Sequence, residues 1–566
     1  TQLLHGHASL NADFELLRRA DQRQLDHAGT RHKTRRLELA EMGESEEIRL
    51  VASEWFTYKK RGLLAPYGVG TIDQALLAIL QTKHFFVRLF GLAGKVVILD
   101  EVHAYDTYMQ ALLGRLLTWL AACGTSVVLL SATLPAHTRR NLLQAYAAGR
   151  GVAPALLSEP SAAYPRITWV TDDGADALHV DGAIQRSVAL RSFAQTGDDW
   201  ISELQSALQE GGCAAVILNT VTRAQQAYDK LKAYFPQDQL YLFHARYPFD
   251  ERMKRERAVL ARFGPSSTDR PHRAVVVATQ VIEQSLDLDF DLMVTDLAPV
   301  DLVFQRSGRL WRHPRPWRPP GLDKPTLWLL MPDCDEQGVP QFDPGSMRVY
   351  DAHTLLRSWL ALSCEESLEV PDRVEELIEA VYQPLDPPET LPEPIKVCWR
   401  ETRRKWEEEE RKDRQQAAKR YIPDVNKDLS TMKMEDLSEE EGDKHSALQA
   451  LTRLGGPTAT AICLVEEQGQ LRTLGAAPHL IQLERRPDLE EIRSLLGCSI
   501  SISFDPELAK QILDQKPPET WAGLAYLRRC RLLRFDSSGQ CLTADLPLRL
   551  DPVLGLMKVG VRKEEE

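Results

Sequence analysis

Cysteine pairs, long apolar runs and a surplus of positive charge are all missing from this sequence of 566 residues. None of its nine cysteines lies in a C-x-x-C pair, which argues against a zinc framework and indicates the reduced thiols of a cytoplasmic protein. No run of about 18 apolar residues occurs, so no membrane span is predicted. With 69 Lys and Arg against 81 Asp and Glu, any nucleic-acid site must be a local basic groove.

A phosphate-binding loop of the G-x-x-x-x-G-K-[ST] type is also missing from these residues. The most similar string, Ala93-Gly94-Lys95-Val96, has no hydroxyl residue after its lysine and leads into an apolar run instead of a helix. It is therefore not expected to wrap a phosphate group.

The run 96–99 is apolar and ends in two adjacent carboxylates, Asp100 and Glu101, followed by Val102 and His103. An apolar run without polar alternation predicts a strand buried on both faces of a parallel sheet. The carboxylates then lie at the carboxyl edge, where open α/β sheets bind ligands. The alternative is an ordinary strand that ends in solvated acids.

Alternating apolar runs and helical stretches predict two α/β units and a smaller third domain. The boundaries that we predict are 1–158, 159–390, 391–445 and 446–566, the third segment being a linker helix followed by an acidic linker. A capping box at Thr71 predicts a helix over 71–90. Further helices are predicted at 104–122, 136–148, 350–382 and 399–420, and strands at 127–130, 214–218, 239–243, 274–278, 291–295, 326–331, 458–465 and 499–504.

A basic string, Gln305-Arg306-Ser307-Gly308-Arg309-Leu310-Trp311-Arg312, lies in the second unit. Its three arginines recur every third residue, close to one face of a predicted helix. Arginines that offset charge on a transferring phosphoryl group raise rates about 10³- to 10⁵-fold, so the string suits phosphoryl transfer. A solvated basic helix is the alternative.

Short polar groups follow two further predicted strands. Ser131 and Thr133 come directly after the strand at 127–130 and offer hydroxyls that could relay the state of a nucleotide. Thr279 and Gln280 follow the strand at 274–278 and could bind a phosphate backbone, while acids up to Asp287 order the arginines. Each group is also compatible with an ordinary polar turn.

These strings, in this order, resemble superfamily 2 helicases. The longer stretches 60–74, 100–106 and 297–304 make the chain similar to the CRISPR-associated helicase-nuclease of type I interference systems, closest to the type I-E form. The resemblance implies two tandem RecA-like lobes, a long linker helix and a small C-terminal α+β domain. It also implies an ATP-driven, 3′-to-5′ single-stranded DNA translocase that is recruited by an RNA-guided surveillance complex.

The resemblance assigns a role to each candidate residue. It implies that Asp100 holds Mg²⁺ through the nucleotide and that Glu101 positions the attacking water, with Arg306 and Arg309 as the other catalytic residues. The remaining implied roles are nucleotide binding by ATP-site residues His103, Gln305 and Asp287, coupling by Ser131 and Thr133, and DNA binding by Arg61, Arg246, Thr279 and Gln280.

Two departures from that family shape our expectations. The sequence has no His-Asp dipeptide for the family's nuclease and no phosphate loop, and it begins at Thr1. We therefore expect a fragment or one half of a split protein, with an incomplete first lobe that is inactive alone. A separate chain that carries the nuclease and the phosphate loop is the partner that would complete it. A non-hydrolysing module that binds DNA or the complex, and a general RNA helicase, remain alternatives.

Overall fold

A computed structural model of the chain describes residues 2–4, 64–82, 85–157, 162–182, 185–265, 267, 269–283, 286–427, 429, 452–524, 526–543 and 546–559. Arg61 and most of the predicted acidic linker lie outside the described residues. The predicted fold is confirmed, because the described chain forms α/β units with parallel sheets. None of the helices among the described residues is long and apolar enough to cross a membrane.

The first unit, which we call lobe one (64–157 with the short strand at the N-terminus), carries two separate pairs of parallel strands. Strand β1 pairs with β2, and β3 pairs with β4. The elements are β1 (Gln2–Leu4), β2 (Gly68–Gly70), α1 (Ile72–Leu76), α2 (Phe85–Leu92), β3 (Val96–Leu99), α3 (Thr107–Ala122), β4 (Ser126–Leu129) and α4 (Ala136–Arg150).

Strand β3 differs from its prediction because only one of its faces is buried. Val97 and Leu99 pack into the core of lobe one, whereas Val96 is 67% exposed and Ile98 is 62% exposed. The alternation of buried and exposed residues follows from the pleat of a strand. The unbroken apolar run therefore predicted the strand correctly. The prediction that both faces of this strand are buried was wrong.

The predicted helix over 71–90 is also corrected, because the chain forms two short helices, α1 and α2, instead of one. Thr71 precedes α1, but its side chain makes no capping hydrogen bond, so the predicted capping box is wrong. Between the helices Leu80 forms a β-bridge with Tyr421, and the Ile422 N–H donates to the Ile79 carbonyl over 2.7 Å. This pairing with a distant segment could not be read from local sequence.

The second unit, which we call lobe two (186–382), is built on a seven-stranded sheet in the order β13-β7-β12-β11-β8-β10-β9. All pairs are parallel except β13 with β7. Its strands are β7 (Arg186–Ala194), β8 (Gly212–Ile217), β9 (Leu240–Phe243), β10 (Arg273–Ala278), β11 (Leu292–Asp296), β12 (Thr326–Met331) and β13 (Ser367–Val370), and a separate hairpin, β5 (Arg166–Thr171) with β6 (Gly174–His179), precedes them.

Five strands of this sheet were predicted and are confirmed. Their apolar runs are buried on both faces, and every residue of β8 is buried, as a central parallel strand requires. Strands β7 and β13 were missed, and the predicted helix over 350–382 is wrong because β13 interrupts it. The helices of lobe two are α5 (Asp199–Ala207), α6 (Val221–Leu231), α7 (Phe249–Phe263), α8 (Val300–Ser307), α9 (Ser346–Val349), α10 (Ala352–Leu362) and α11 (Val374–Tyr382).

A long helix, α12 (Glu393–Arg420), follows and contacts both lobes. In lobe two, the Arg357 guanidinium lies 4.8 Å from the ring centre of Trp399. In lobe one, the Thr107 hydroxyl donates to Glu410 Oε1 over 3.1 Å. The helix predicted at 399–420 is confirmed, and Lys412 and Glu408 on its surface form a 2.8 Å ion pair.

The C-terminal domain is a small α+β unit, as predicted, and it is joined to lobe two. Its elements are β14 (Ala459–Glu467), β15 (Gln470–Arg472), β16 (Leu480–Ile481), α13 (Leu489–Gly497), β17 (Ser499–Ile502), α14 (Pro506–Leu513), β18 (Arg531–Phe535), β19 (Leu548–Asp551) and β20 (Gly555–Lys558). The turn between β19 and β20 inserts into lobe two, where Leu554 joins the core cluster beside β8 and β9.

Candidate nucleotide site between the lobes

The acidic pair lies at the carboxyl end of β3, as predicted. Asp100 is exposed, and its Oδ1 accepts a 2.9 Å hydrogen bond from the Glu101 N–H. Glu101 has φ 54° and ψ 39°, a left-handed conformation that costs about 1–3 kcal/mol for a residue with a Cβ. Its side chain is 53% exposed. A carboxylate held out on a strained turn at this edge is available to a ligand.

His103 connects the acidic pair to the segment after β4. Its Nε2 lies 3.2 Å from Glu101 Oε2, and its Nδ1 lies 3.3 Å from Ser131 Oγ. The imidazole itself is almost fully buried. The structure therefore brings three predicted site residues into one contact chain, although they lie up to 30 positions apart in the sequence.

The segment Ser131–Thr133 also touches lobe two. Ser131 Oγ donates to the Thr133 carbonyl over 2.8 Å, which fixes the turn. The Tyr164 hydroxyl donates to the Ala132 carbonyl over 2.8 Å, and Tyr164 packs against the core of lobe two. The Thr133 hydroxyl is buried and has no hydrogen-bond partner among the described residues. This placement suits a segment that responds to both lobes.

Arg306 is not placed as an arginine finger, which corrects the catalytic role predicted for it. Its side chain is 0% exposed and forms a 2.6 Å ion pair with Glu283. Its remaining N–H groups donate to Thr295 Oγ1 over 2.6 Å and to the Tyr350 hydroxyl over 3.2 Å. A guanidinium whose donors are used inside lobe two holds that lobe together instead of reaching a phosphate.

The three arginines do not share an exposed helical face either, because α8 ends at Ser307. Arg309 follows the helix and donates to the Gln305 carbonyl over 3.1 Å and to the Glu283 carbonyl. Its Nε is buried and has no partner among the described residues, and the same is true of the Gln305 side-chain amide nitrogen. Of the predicted catalytic arginines, Arg309 is the one with a donor still available.

Arg309 and Glu101 interact electrostatically across the two lobes. Burial lowers the pKa of Arg309, Arg312 lowers it further, and the Glu101 carboxylate raises it. Arg309 therefore lies close enough to Glu101 for their charges to interact across the two lobes.

Asp287 orders the arginine segment, as the sequence predicted. Its Oδ1 accepts hydrogen bonds from Arg312 Nε over 2.6 Å and from His313 Nε2 over 2.8 Å. Burial raises the pKa of Asp287, but these two partners outweigh that effect, and the net shift is downward. Because its carboxylate is engaged in this way, the nucleotide-binding role predicted for Asp287 has no support in this geometry.

The predicted DNA contacts are mostly engaged within the protein, which corrects that interpretation for three of them. Thr279 is buried, and the Gln280 side chain donates to the Asn219 carbonyl over 2.6 Å and to the Tyr350 hydroxyl over 3.2 Å. The Arg246 guanidinium lies 3.6 Å from the ring centre of Phe504 in the C-terminal domain. Burial lowers the pKa of Arg246 to about 10.

Sequence reasoning missed the buried polar network that supports the arginine segment. Asn219 and Asp296 are polar residues at the carboxyl ends of β8 and β11, a position that could have revealed them. The Asn219 N–H donates to Asp296 Oδ2 over 2.9 Å, and Arg223 makes a 2.7 Å ion pair with Asp296. Tyr350 carried no signal, because an isolated tyrosine outside any motif is usually a packing residue.

The acidic edge fits a magnesium ion that is bound through a nucleotide. Such an ion keeps most of its ligands from phosphate and water and needs one or two protein carboxylates, and Asp100 is placed to supply one. The described residues contain no group of three His, Cys, Asp or Glu side chains suited to hold a metal by themselves. Lys95 is not a phosphate ligand here, since its Nζ donates to the Ala65 carbonyl over 2.6 Å.

This fold, with α/β units on parallel sheets and an acidic pair at the carboxyl end of β3, is consistent with the class of RecA-like helicases. Residues 210–315 match the family model described as "CRISPR-associated nuclease/helicase Cas3, C-terminal", and residues 453–556 match the "Cas3 C-terminal domain". The chain is a homologue of the Cas3 proteins of type I CRISPR systems, as the sequence resemblance predicted.

A relative from Thermus thermophilus, named "CRISPR-associated endonuclease/helicase Cas3", is 35% identical over an alignment of 611 positions. The match covers 99% of this chain and 62% of the relative. The chain thus spans less than two thirds of that protein.

Solved structures agree with this relationship. One titled "Crystal structure of CRISPR-associated protein" has a TM-score of 0.79 at 47% identity and covers 89% of this chain and 55% of that chain. A complex titled "T. fusca Cas3-AMPPNP" has a TM-score of 0.75 at 32% identity over 89% of this chain and 58% of that chain. A chain in an RNA-guided surveillance complex before nicking has a TM-score of 0.68 at 32% identity over 91% of this chain and 63% of that chain.

Proposed function

We propose that this chain is the helicase portion of a CRISPR interference nuclease-helicase that uses ATP and Mg²⁺ to translocate along single-stranded DNA. The observation that carries the proposal is the exposed Glu101 carboxylate, which a left-handed turn holds at the carboxyl end of β3. Its charge also interacts with that of Arg309 in lobe two. In this scheme Asp100 holds the nucleotide's magnesium, Glu101 positions the attacking water and Arg309 offsets charge on the γ-phosphate. The similarity to a nucleotide-bound Cas3 supports ATP as the ligand.

We propose an RNA-guided surveillance complex as the partner that delivers the DNA. This proposal is supported by the similarity to a chain in such a complex. We also keep as proposals the domain limits given above and the coupling role of Ser131 and Thr133.

The proposal includes weak nucleotide binding and little ATP turnover by residues 1–566 alone, because no G-x-x-x-x-G-K-[ST] string occurs in them. The second candidate function is a module that binds DNA or the complex without hydrolysis. The missing G-x-x-x-x-G-K-[ST] string favours this function as well.

Binding of a fluorescent ATP analogue with Mg²⁺ tests the proposed site. Asp100→Asn and Arg309→Ala are each expected to weaken binding about tenfold, the effect of losing one charged ligand contact of about 1.4 kcal/mol. Glu210→Gln is the matched control, since Glu210 is an exposed carboxylate in a turn away from β3. Equal affinities for all four proteins would contradict the proposed site.

Hydrolysis separates the two candidate functions. A DNA-stimulated ATPase rate that Glu101→Gln abolishes would establish the motor and would overturn the expectation that this chain is inactive alone. DNA binding that is unaffected by nucleotide and by Asp100→Asn, Glu101→Gln and Arg309→Ala would favour the binding module.

A further inference from the structure

Helix α11 (Val374–Tyr382) contacts both halves of the proposed site through side chains that no motif contains. Its apolar residues Val374, Leu377, Ile378 and Val381 pack into the same core cluster as Val300, Val303 and Phe304 of α8, the helix that leads to Arg309. Two polar residues close to its C-terminus, Glu379 and Tyr382, then extend in different directions.

Glu379 reaches lobe one. Its Oε1 accepts a 2.6 Å hydrogen bond from the Ala136 N–H, the first amide of α4. The first amides of a helix have no partner within the helix, and Pro135 before α4 has no side chain that can cap it. A carboxylate from lobe two therefore caps the helix that begins directly after the Ser131–Thr133 segment.

Tyr382 reaches the arginine helix. Its hydroxyl donates to Asp301 Oδ1 over 2.5 Å, in the first turn of α8. Burial raises the pKa of Asp301, whereas the bond from Tyr382 and the nearby charge of His103 lower it, so this pair also lies close to the acidic strand of lobe one. Glu379 and Tyr382 are three residues apart and so lie on adjacent turns of one rigid element.

We propose that helix α11 links the Ser131–Thr133 segment to the arginine segment, with Glu379 and Tyr382 as its positioning residues. This inference rests on the proposed function. Both hydrogen bonds are made by helix α11, the one to Ala136 of α4 and the one to Asp301 of α8. A movement between the lobes that displaces the first bond therefore also displaces the second. A change at Ser131–Thr133 is thereby passed to α8 through packed side chains.

Amide hydrogen exchange at Ala136 tests the link without any nucleotide. Because this amide has no partner inside α4, its protection reports the Glu379 bond. Glu379→Ala is expected to speed exchange at Ala136 about fivefold, the effect of about 1 kcal/mol at a helix N-terminus. Glu379→Gln, which keeps an acceptor oxygen, is expected to restore most of the protection.

Tyr382→Phe tests the transmission itself, since Tyr382 does not bond to α4. We expect exchange at Ala136 to rise at least about twofold in this variant, and we expect Glu379→Ala to raise exchange in the 300–309 segment. Glu376→Gln is the control on the same helix, because Glu376 is exposed and pairs with Arg373 there. It is expected to change neither segment.

The proposal is overturned if each substitution affects only its own contact, so that Tyr382→Phe leaves Ala136 unchanged and Glu379→Ala leaves 300–309 unchanged. Thermal melting of each variant identifies any protein that has simply lost its fold. Equal affinities of the ATP analogue for the wild-type, Asp100→Asn and Arg309→Ala proteins would contradict the proposed function and leave this exchange measurement intact.

Discussion

The three arginines of the 305–312 string, which lie three positions apart, differ in their burial and in their partners. Arg306 is fully buried and paired with Glu283, while Arg309 keeps an unused donor and interacts electrostatically with Glu101. Arg312 is half exposed and bound to Asp287. The difference follows from where α8 ends, because the chain turns after Ser307 and carries the later arginines away from the core. Residue type alone predicts all three as phosphate ligands.

We expect Arg306→Ala to lower the free energy of unfolding by about 3–5 kcal/mol, because it leaves Glu283 as a buried charge without its partner. Arg309→Ala is expected to change stability by about 1 kcal/mol or less while it weakens nucleotide binding. Urea denaturation followed by circular dichroism measures both effects. A wild-type midpoint for Arg306→Ala would contradict the structural role assigned here.

At the scale of elements, the sequence predicts best where packing is local or two-sided. The buried strands of lobe two are unbroken apolar runs, and helix α12 is a long, densely charged stretch. Few other local structures are compatible with these two patterns. The hairpin β5–β6 and strand β13 carry no such pattern, and the failure at 71–90 came from pairing with residues 421–422. Long-range pairing of this kind has no signature within a local window of sequence.

Helix α14 provides a prediction for pH dependence. Asp505 caps this helix by accepting hydrogen bonds from the Glu507 and Leu508 N–H groups, over 3.1 and 3.0 Å. It also pairs with Lys558 of β20, and this pairing, together with the backbone bonds, lowers the pKa of Asp505. Because the folded pKa lies below the unfolded value of about 3.9, the stabilisation is present above that pH and is lost as pH falls through the folded pKa.

Asp505→Asn, which keeps a capping oxygen but no charge, is therefore expected to flatten the dependence of stability on pH below about pH 4. Urea midpoints measured between pH 2 and pH 6 (about two units on either side of the unfolded pKa) check this expectation. Asp514→Asn, at the other end of the same helix, is the control. An unchanged slope in Asp505→Asn would show that the Lys558 pair contributes nothing to the titration.

At the scale of the whole molecule, the C-terminal domain is attached to lobe two through the β19–β20 turn. The Gln225 amide and the His244 ring bond to the Leu554 carbonyl over 2.7 and 3.1 Å, and the Tyr247 hydroxyl donates to the Val553 carbonyl over 2.6 Å. Burial, the main cause, lowers the pKa of His244 to about 3, so its ring is neutral at physiological pH. The attachment is made largely to backbone, and Arg255 adds a charged donor to it by bonding to the Pro552 carbonyl over 3.1 Å.

We expect lobe two and the C-terminal domain to unfold in a single calorimetric transition. Leu554→Asp, which puts a charge into the lobe-two core, is expected to separate that transition into two. Leu542→Asp changes an exposed leucine of the same domain and is expected to leave one transition. Two transitions in the wild-type protein would contradict a joint unit.

The left-handed turn at Glu101 has a consequence for how this site can vary. Glycine would adopt the backbone at position 101 without strain, so the fold alone favours a residue that has no side chain there. A glutamate at this position therefore costs stability, and the proposed function accounts for its presence. Under that function, selection for stability and selection for hydrolysis oppose each other at a single residue, and a variant that had lost the second pressure would drift toward glycine.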